Sequence, residues 1–388
     1  MGVSAHPTLR WQDLGPSQPE WAALNAGPAA FRFTYNARAA LYQLLLAMPR
    51  SQRDTVLLPT FHCTTVVEPA LRAGWKVRFY RIKADLSIDL EHLESQLSED
   101  VAAVLVIHFL GFPAPLENVR RMSREKGCYL IEDWAHSFLQ GPAAAMPGDQ
   151  GDFALFSFYK HAPSFAGGGL RVNTRVPWSM ASELSAGSRQ SALIVKRLAE
   201  QAIENSSGGP LKAAFQSFEK WRVNRKRRKK TAPTPSKESA GEPAYEFSER
   251  LARSGIPWLS RKILLATRWD SLLAARRRNY EYLAQHLEDN RWMRRVHATL
   301  PPEVCPWAFP VWMCARAEQD VQLRAQGLPL FTFGEVLHPS LQQAPLAARK
   351  DAEELSKCLL LFSVHQNLEL SDMARTARII NEFYRGRL

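Results

Sequence analysis

Short runs of apolar, β-branched residues alternate with amphipathic stretches through the first part of the chain, the pattern of βα units that build a largely parallel sheet. Strands are predicted at TVLLPT (55–60), KVRFYRI (76–82), AAVLVIHF (102–109), CYLIED (128–133) and FALFSF (153–158). Helices are predicted at ARAALYQLLLAM, at TTVVEPALRAG ending on Gly74, at LEHLESQL, and at LENVRRMSREKG ending on Gly127. Glycine suits the position after a helix's last turn. Near-continuous apolar strands imply a sheet covered on both faces, whose ligands bind beyond the carboxyl ends of the strands. Further on, SLLAARRRNYEYLAQHLED sets Leu273, Tyr280, Leu283 and Leu287 on one helical face, a core stripe. The strand candidates WAFPVWMC and CLLLFSV and the final helix MARTARIINEFY then suggest a smaller α+β domain.

Length and charge refine this α/β picture. The 388 residues, 46% of them hydrophobic, suit about two domains with a buried core, which excludes a disordered chain. Lys and Arg number 50 against 38 Asp and Glu, a formal net charge of +12. Much of the surplus sits between Arg222 and Lys230, in a run that repels itself and is followed by TAPTPSKESAGEP, which cannot bury a core. The expected organisation is therefore an N-terminal segment (1–30), a large α/β domain (31–204), a mobile basic insertion (205–245), and a connecting helix with the smaller domain (246–388). The basic run reads as a solvated loop or as a tether for nucleic acid or an anionic membrane. Without a nucleic-acid fold motif or interleaved aromatics beyond Trp221, a nucleic-acid partner is not indicated.

Cys63, Cys128, Cys305, Cys314 and Cys358 are odd in number and never form CxxC, so neither a disulfide framework nor a metal site is expected. The start carries no apolar leader, and no stretch approaches the ~20 apolar residues that span a bilayer. A cytoplasmic location is the expectation.

The strand ends select two residues for chemistry. Asp133 closes CYLIED, and Lys160 follows FALFSF by two residues, so both are expected at the carboxyl edge of the sheet. Partial burial lowers an amine's pKa and exposes its lone pair, which makes Lys160 a candidate Schiff-base nucleophile. A carboxylate nearby suits pyridoxal phosphate, whose ring nitrogen works protonated. The same spacing also fits a buried aspartate bonded to a loop and a lysine reaching out to water.

The segments LLPTFHCTTVVEPALRAGWKVRFYRI, VLVIHFLGFPAPLENVRRMSREKGCYLIEDWAHSF, GDFALFSFYKHAPSFAGGGLRV and LLLFSVHQNLELSD resemble the DegT/DnrJ/EryC1/StrS aminotransferases, fold-type-I pyridoxal phosphate enzymes, many of which aminate keto sugars carried on nucleotides. The likeness runs over about residues 30–175 and 255–385. It implies Lys160, seven residues before the pair Gly167 and Gly168, as the Schiff-base lysine, Asp133 as partner of the pyridine nitrogen, and His136 as contact of the cofactor's phenolic oxygen. It implies Ala37, Arg38 and Ala39 around the phosphate, with Ser157 as a second phosphate candidate. Either His62 or Cys63 would lie against the cofactor ring, and His365 and Gln366 match a late motif on the substrate side. Ala37, Arg38, Cys63 and Ala166 depart from the family pattern.

What the resemblance implies is a homodimeric enzyme that takes nitrogen from a donor such as glutamate and delivers it to a keto sugar. Two other readings stay open. One is a sugar dehydratase of the same family, which typically has histidine in place of the lysine, a position that His161 adjoins. The other is a catalytically weakened relative that binds a partner through its basic insertion.

Overall fold

The computed structural model describes residues 4–16, 30–50, 52–137, 147–176, 188–204 and 247–385. The expected insertion, with its basic run 222–230, lies outside the described residues.

Seven strands form the main sheet, in the order β1-β7-β6-β5-β4-β2-β3. They are β1 (Ala30–Thr34), β2 (Thr55–Pro59), β3 (Lys76–Tyr80), β4 (Val101–Ile107), β5 (Tyr129–Trp134), β6 (Phe153–Ser157) and β7 (Gly168–Val172). The five strands read from the sequence pair in parallel, whereas β7 runs antiparallel to both β6 and β1. Every residue of β2, β4 and β6 is buried, as continuous apolar runs require when helices cover both faces.

The predicted helices form as α1 (Ala37–Ala47), α2 (Thr64–Arg72), α3 (Leu90–Gln96) and α4 (Glu117–Lys126), the second and fourth stopping at or next to the expected glycines. Three more, α5 (Ser188–Glu204), α6 (Glu249–Ala252) and α7 (Trp258–Ala266), lead to the long helix α8 (Trp269–His286). Leu273, Tyr280, Leu283 and Leu287 are all buried there, the stripe that the periodicity predicted.

The smaller unit is an antiparallel sheet ordered β10-β11-β9-β8, from β8 (Met293–Arg295), β9 (Ala308–Met313), β10 (Leu330–Phe331) and β11 (Leu359–Ser363). Helices α9 (Arg316–Ala325), α10 (Leu346–Cys358) and α11 (Leu370–Arg385) complete it. Tyr280 and Leu283 of α8 share a core with Phe309, Phe362 and Ile380, so the connecting helix is anchored in the small unit. No helix among the described residues is long and apolar enough to cross a membrane.

Residues 4–15 form a strap rather than a free segment. Ser363 donates to the Ala5 carbonyl at 2.7 Å, Thr8 N–H reaches Asn367 Oδ1 at 2.8 Å, and Gly15 N–H reaches the Ala266 carbonyl at 2.7 Å.

Candidate active site

The direction of β7 shapes the site. Because it runs against its neighbours, its first residue lies at the same edge as their last: Gly168 pairs with both Ser157 and Thr34. A Cβ on Gly168 would sit 2.3 Å from Asn36 C and 2.7 Å from Ala37 N. Only glycine lets the start of α1 come this close to the sheet. Asn36 caps that helix, its side chain accepting the Ala39 N–H at 2.8 Å. The remaining first-turn amides have no acceptor within the helix and favour an anion.

A cavity of about 560 Å³, counting its opening to solvent, lies beyond the carboxyl ends of β4, β5 and β6. Ala37 and Arg38 at the start of α1 line it together with Asp133, His136, Ser157 and Lys160. Cys63 and Ala135 contribute to its wall, and Phe333 reaches in from the smaller unit. Ala39, by contrast, is fully buried and spends its N–H on the cap.

The ionisable groups differ sharply in state. Lys160 is half-buried, and desolvation lowers its amine below the usual lysine value against the opposing pull of Cys63 and Asp133. Burial raises the Asp133 carboxyl, while the Ala135 N–H at 2.8 Å, Lys160 and His108 work to lower it. Tyr159, unforeseen in the sequence, also lines the cavity.

Backbone groups fix the histidine tautomers, since an amide N–H only donates and a carbonyl only accepts. Leu110 N–H donates to His136 Nδ1 at 3.2 Å, so the neutral ring carries its proton on Nε2. Ala114 N–H donates to His108 Nδ1 at 2.9 Å, which turns His108 Nε2–H toward Glu132 Oε2 at 3.2 Å. His108 stacks on Trp134 with centroids 3.6 Å apart. Burial alone would raise Glu132, yet hydrogen bonds from His108, Gly151 and Trp134 hold it below its ordinary value. This network braces β5 directly behind Asp133.

Of the two ring-face candidates, Cys63 lines the cavity. His62 does not: Nδ1–H donates to the Pro59 carbonyl at 2.9 Å, Nε2 accepts the His338 N–H at 3.3 Å, and the ring stacks on Phe79. The late motif also lies outside the cavity. His365 Nε2–H donates to the Ser4 carbonyl of the strap at 3.0 Å, and Gln366 Nε2–H donates to the His161 carbonyl at 3.0 Å. These two residues tie the strap and the lysine loop to the smaller unit. Ala166 is buried, and its carbonyl accepts the Ser164 hydroxyl at 2.9 Å, a bond made without a carboxylate at that position.

Keeping these histidines neutral has a cost in acid. Burial pushes His62 down to about 4 and His365 down to about 3, and lowers His108 and His136 as well. In an unfolded chain each titrates near 6.5. From about pH 6.5 down to the folded values the unfolded state binds protons that the native state refuses, so stability falls by up to about 1.4 kcal/mol per pH unit for each group. Melting temperature should drop steeply between pH 7 and pH 5, and His365→Asn should flatten that slope. A melting temperature indifferent to pH over this range would contradict the buried neutral state.

Residues 32–180 match the DegT/DnrJ/EryC1/StrS aminotransferase family. The GDP-perosamine synthase of Vibrio cholerae is 28% identical over 140 residues, which is 36% of this chain and 38% of the relative. The GDP-4-keto-6-deoxy-D-mannose 3-dehydratase of Yersinia pseudotuberculosis is 32% identical over 125 residues, 31% of this chain and 32% of the relative. The matched region thus spans about a third of the length of these relatives. The fold agreement is far wider: Helicobacter pylori PseC, an aminotransferase involved in the biosynthesis of pseudoaminic acid, superposes with TM-score 0.64 over 99% of both chains at 15% identity. Residues 32–180 are thus similar to the DegT/DnrJ/EryC1/StrS aminotransferase family, and the mainly parallel sheet with a smaller antiparallel sheet shares the fold of that aminotransferase structure.

Proposed function

We propose that the protein is a pyridoxal-phosphate-dependent aminotransferase that passes nitrogen from a donor such as glutamate to a nucleotide-linked keto sugar. The observation that carries this reading is the meeting of an amine, a buried carboxyl and a helix start in one cavity, at Lys160, Asp133 and Ala37. The donor set fits the cofactor. The first-turn amides of α1, with Arg38 and Ser157, would hold its phosphate; Asp133 would face its ring nitrogen; His136 would meet its phenolic oxygen; and Cys63 and Ala135 would flank the ring. When bound, the cofactor supplies an aldehyde carbon and an electron-withdrawing ring that takes up electrons released at the substrate carbon.

The chain's own residues divide the remaining work. Lys160 Nζ, whose amine desolvation holds below the usual lysine value, would give up its proton more readily than a free lysine, to act as a nucleophile and then as the group that removes and returns a proton. Asp133, 6% exposed, would face the ring nitrogen and help to keep it protonated. His136, fixed with its proton on Nε2, donates rather than accepts toward the cavity. Phe333 lines the cavity from the smaller unit and offers it an apolar face.

The dehydratase reading has less support. Lys160 lines the cavity, whereas His161 beside it is fully buried and does not.

An absorbance spectrum with added pyridoxal phosphate tests the proposal. The expected result is a visible band that depends on the protein and is lost on adding glutamate, with nitrogen then recovered on a keto sugar. No protein-dependent band would discard the reading. Asp133→Asn should still bind the cofactor but lower kcat by roughly 10²-fold or more, since a neutral amide cannot sustain the ring proton. Near-normal turnover in this variant would remove Asp133 from that role.

A further inference from the structure

One aromatic residue of the smaller unit touches both Lys160 and His136. The Lys160 amine lies 4.8 Å from the centroid of the Trp307 ring. The His136 ring stacks on the same indole, with centroids 4.2 Å apart and planes 12° from parallel. Trp307 is half-buried and lies behind these two side chains rather than in the cavity wall.

The backbone that carries the indole is held from two directions. The Trp307 backbone N–H donates to the Leu110 carbonyl at 2.9 Å, and Leu110 N–H is the donor that sets the His136 tautomer. His136, Leu110 and Trp307 therefore form a closed ring of contacts. Leu110 makes both bonds from φ 60°, a left-handed conformation that costs a branched residue, and constraints of this kind concentrate at functional sites. Next to it, Gly111 has φ 99°, and a Cβ there would lie 2.2 Å from the Cys305 carbonyl oxygen, so only glycine lets the two loops approach. From the other side, Arg276 of α8 donates to the carbonyls of Pro306 at 3.3 Å and Trp307 at 3.2 Å. Arg276 is 1% exposed and has no carboxylate ion pair among the described residues. A fully buried guanidinium spent on two adjacent carbonyls fixes the backbone that carries the indole.

We propose that Trp307 is a positioning residue for the amine and the imidazole: its ring face holds Lys160 and His136 in register, and Leu110 and Arg276 hold the backbone that carries the ring. The idea rests on the aminotransferase reading for its purpose but concerns the chain without cofactor. A ring face attracts an ammonium through its quadrupole, so the indole opposes the desolvation that strips the lysine of its proton. The other groups facing Lys160 are Cys63 and Asp133, which favour the charged amine, and His136 and His161, both neutral. Removing the ring while keeping an apolar wall should make Lys160 easier to deprotonate.

The test is the pH dependence of Lys160 acylation by acetic anhydride in the full chain without added cofactor, followed by mass spectrometry of the peptide that contains it. Trp307→Leu is expected to move the midpoint of that profile down by roughly half a unit to one unit. Trp307→Phe, which keeps a ring with a weaker quadrupole, should move it less and in the same direction. An unshifted midpoint in the folded leucine variant would overturn the proposal, as would an unshifted phenylalanine variant if the leucine variant does not fold. Because no cofactor is present, failure here is separable from failure of the aminotransferase reading, which the wild-type spectrum decides.

Discussion

Replacing Lys160 with alanine should abolish the visible cofactor band and lower amino transfer by about 10⁴-fold or more. Two functions vanish together: the nucleophile, and the base that carries the proton. The rest of the cavity is left standing, because the Lys160 side chain points into open space and contacts the Trp307 face without packing into a core. Pyridoxal phosphate should therefore still bind, held by the start of α1 and by Asp133, and its spectrum should resemble that of the free aldehyde. Lys160→Arg separates the two roles further, since a guanidinium keeps the positive charge but yields no lone pair. If the arginine variant retained more than a few per cent of activity, charge rather than proton transfer would be the contribution of this residue. Single-turnover measurements with glutamate would read the donor half alone and remove any uncertainty about the acceptor.

The second large effect is expected from Gly168→Ala, a change of one methyl group. That methyl would lie 2.3 Å from Asn36 C, 2.6 Å from Asn36 Cα and 2.7 Å from Ala37 N, all backbone atoms with no flexible end to swing aside. Either the sheet edge or the start of α1 must retreat. Overpacking of this kind costs about 2 to 3 kcal/mol. The retreat would also displace the Asn36 cap, itself worth about 1 kcal/mol, and the first-turn amides that favour an anion. The melting temperature should fall by several degrees, and inorganic phosphate or pyridoxal phosphate should bind at least tenfold more weakly. A variant of unchanged stability and phosphate affinity would show that α1 tolerates a shift the geometry does not suggest.

The legible part of the fold was the part written in continuous apolar runs. The edge strand β3 keeps Lys76 exposed and is marked by Val77, Phe79 and Tyr80, whereas β2, β4, β5 and β6 bury nearly every residue, so each announces itself by composition alone. The antiparallel pair β1 and β7 does not: AFRFT carries Arg32, and GGLRV opens on two glycines and carries Arg171, so neither presents an uninterrupted apolar run. Helices α9 and α10 were equally silent, because RAEQDVQLRA and LAARKDAEELSKC bury only a few residues each among many charges. In the cavity, Lys160 and Asp133 were marked by their places at strand ends. The choice between His62 and Cys63 was not marked, since adjacent loop residues point apart and only the carbonyl of Pro59 and the amide of His338 decide which turns away. Trp307 and Phe333 come from the other unit, far along the chain, with no local pattern to associate them with a lysine at 160. His365 and Gln366 were read for their likeness to a substrate motif, and here they fasten the strap and the lysine loop.

The contact between Gly168 and the start of α1 bears on the order in which the molecule assembles. Residues 36 and 168 meet across a long stretch of chain, as do Lys160 and the indole at 307. Loop closure over such separations is slow compared with helix formation or local pairing. During refolding, far-ultraviolet ellipticity should therefore recover before the chain can capture pyridoxal phosphate. The cofactor would bind the last-formed contacts and slow their reopening, so that its presence lengthens the lifetime of the native state more than it hastens the approach to it.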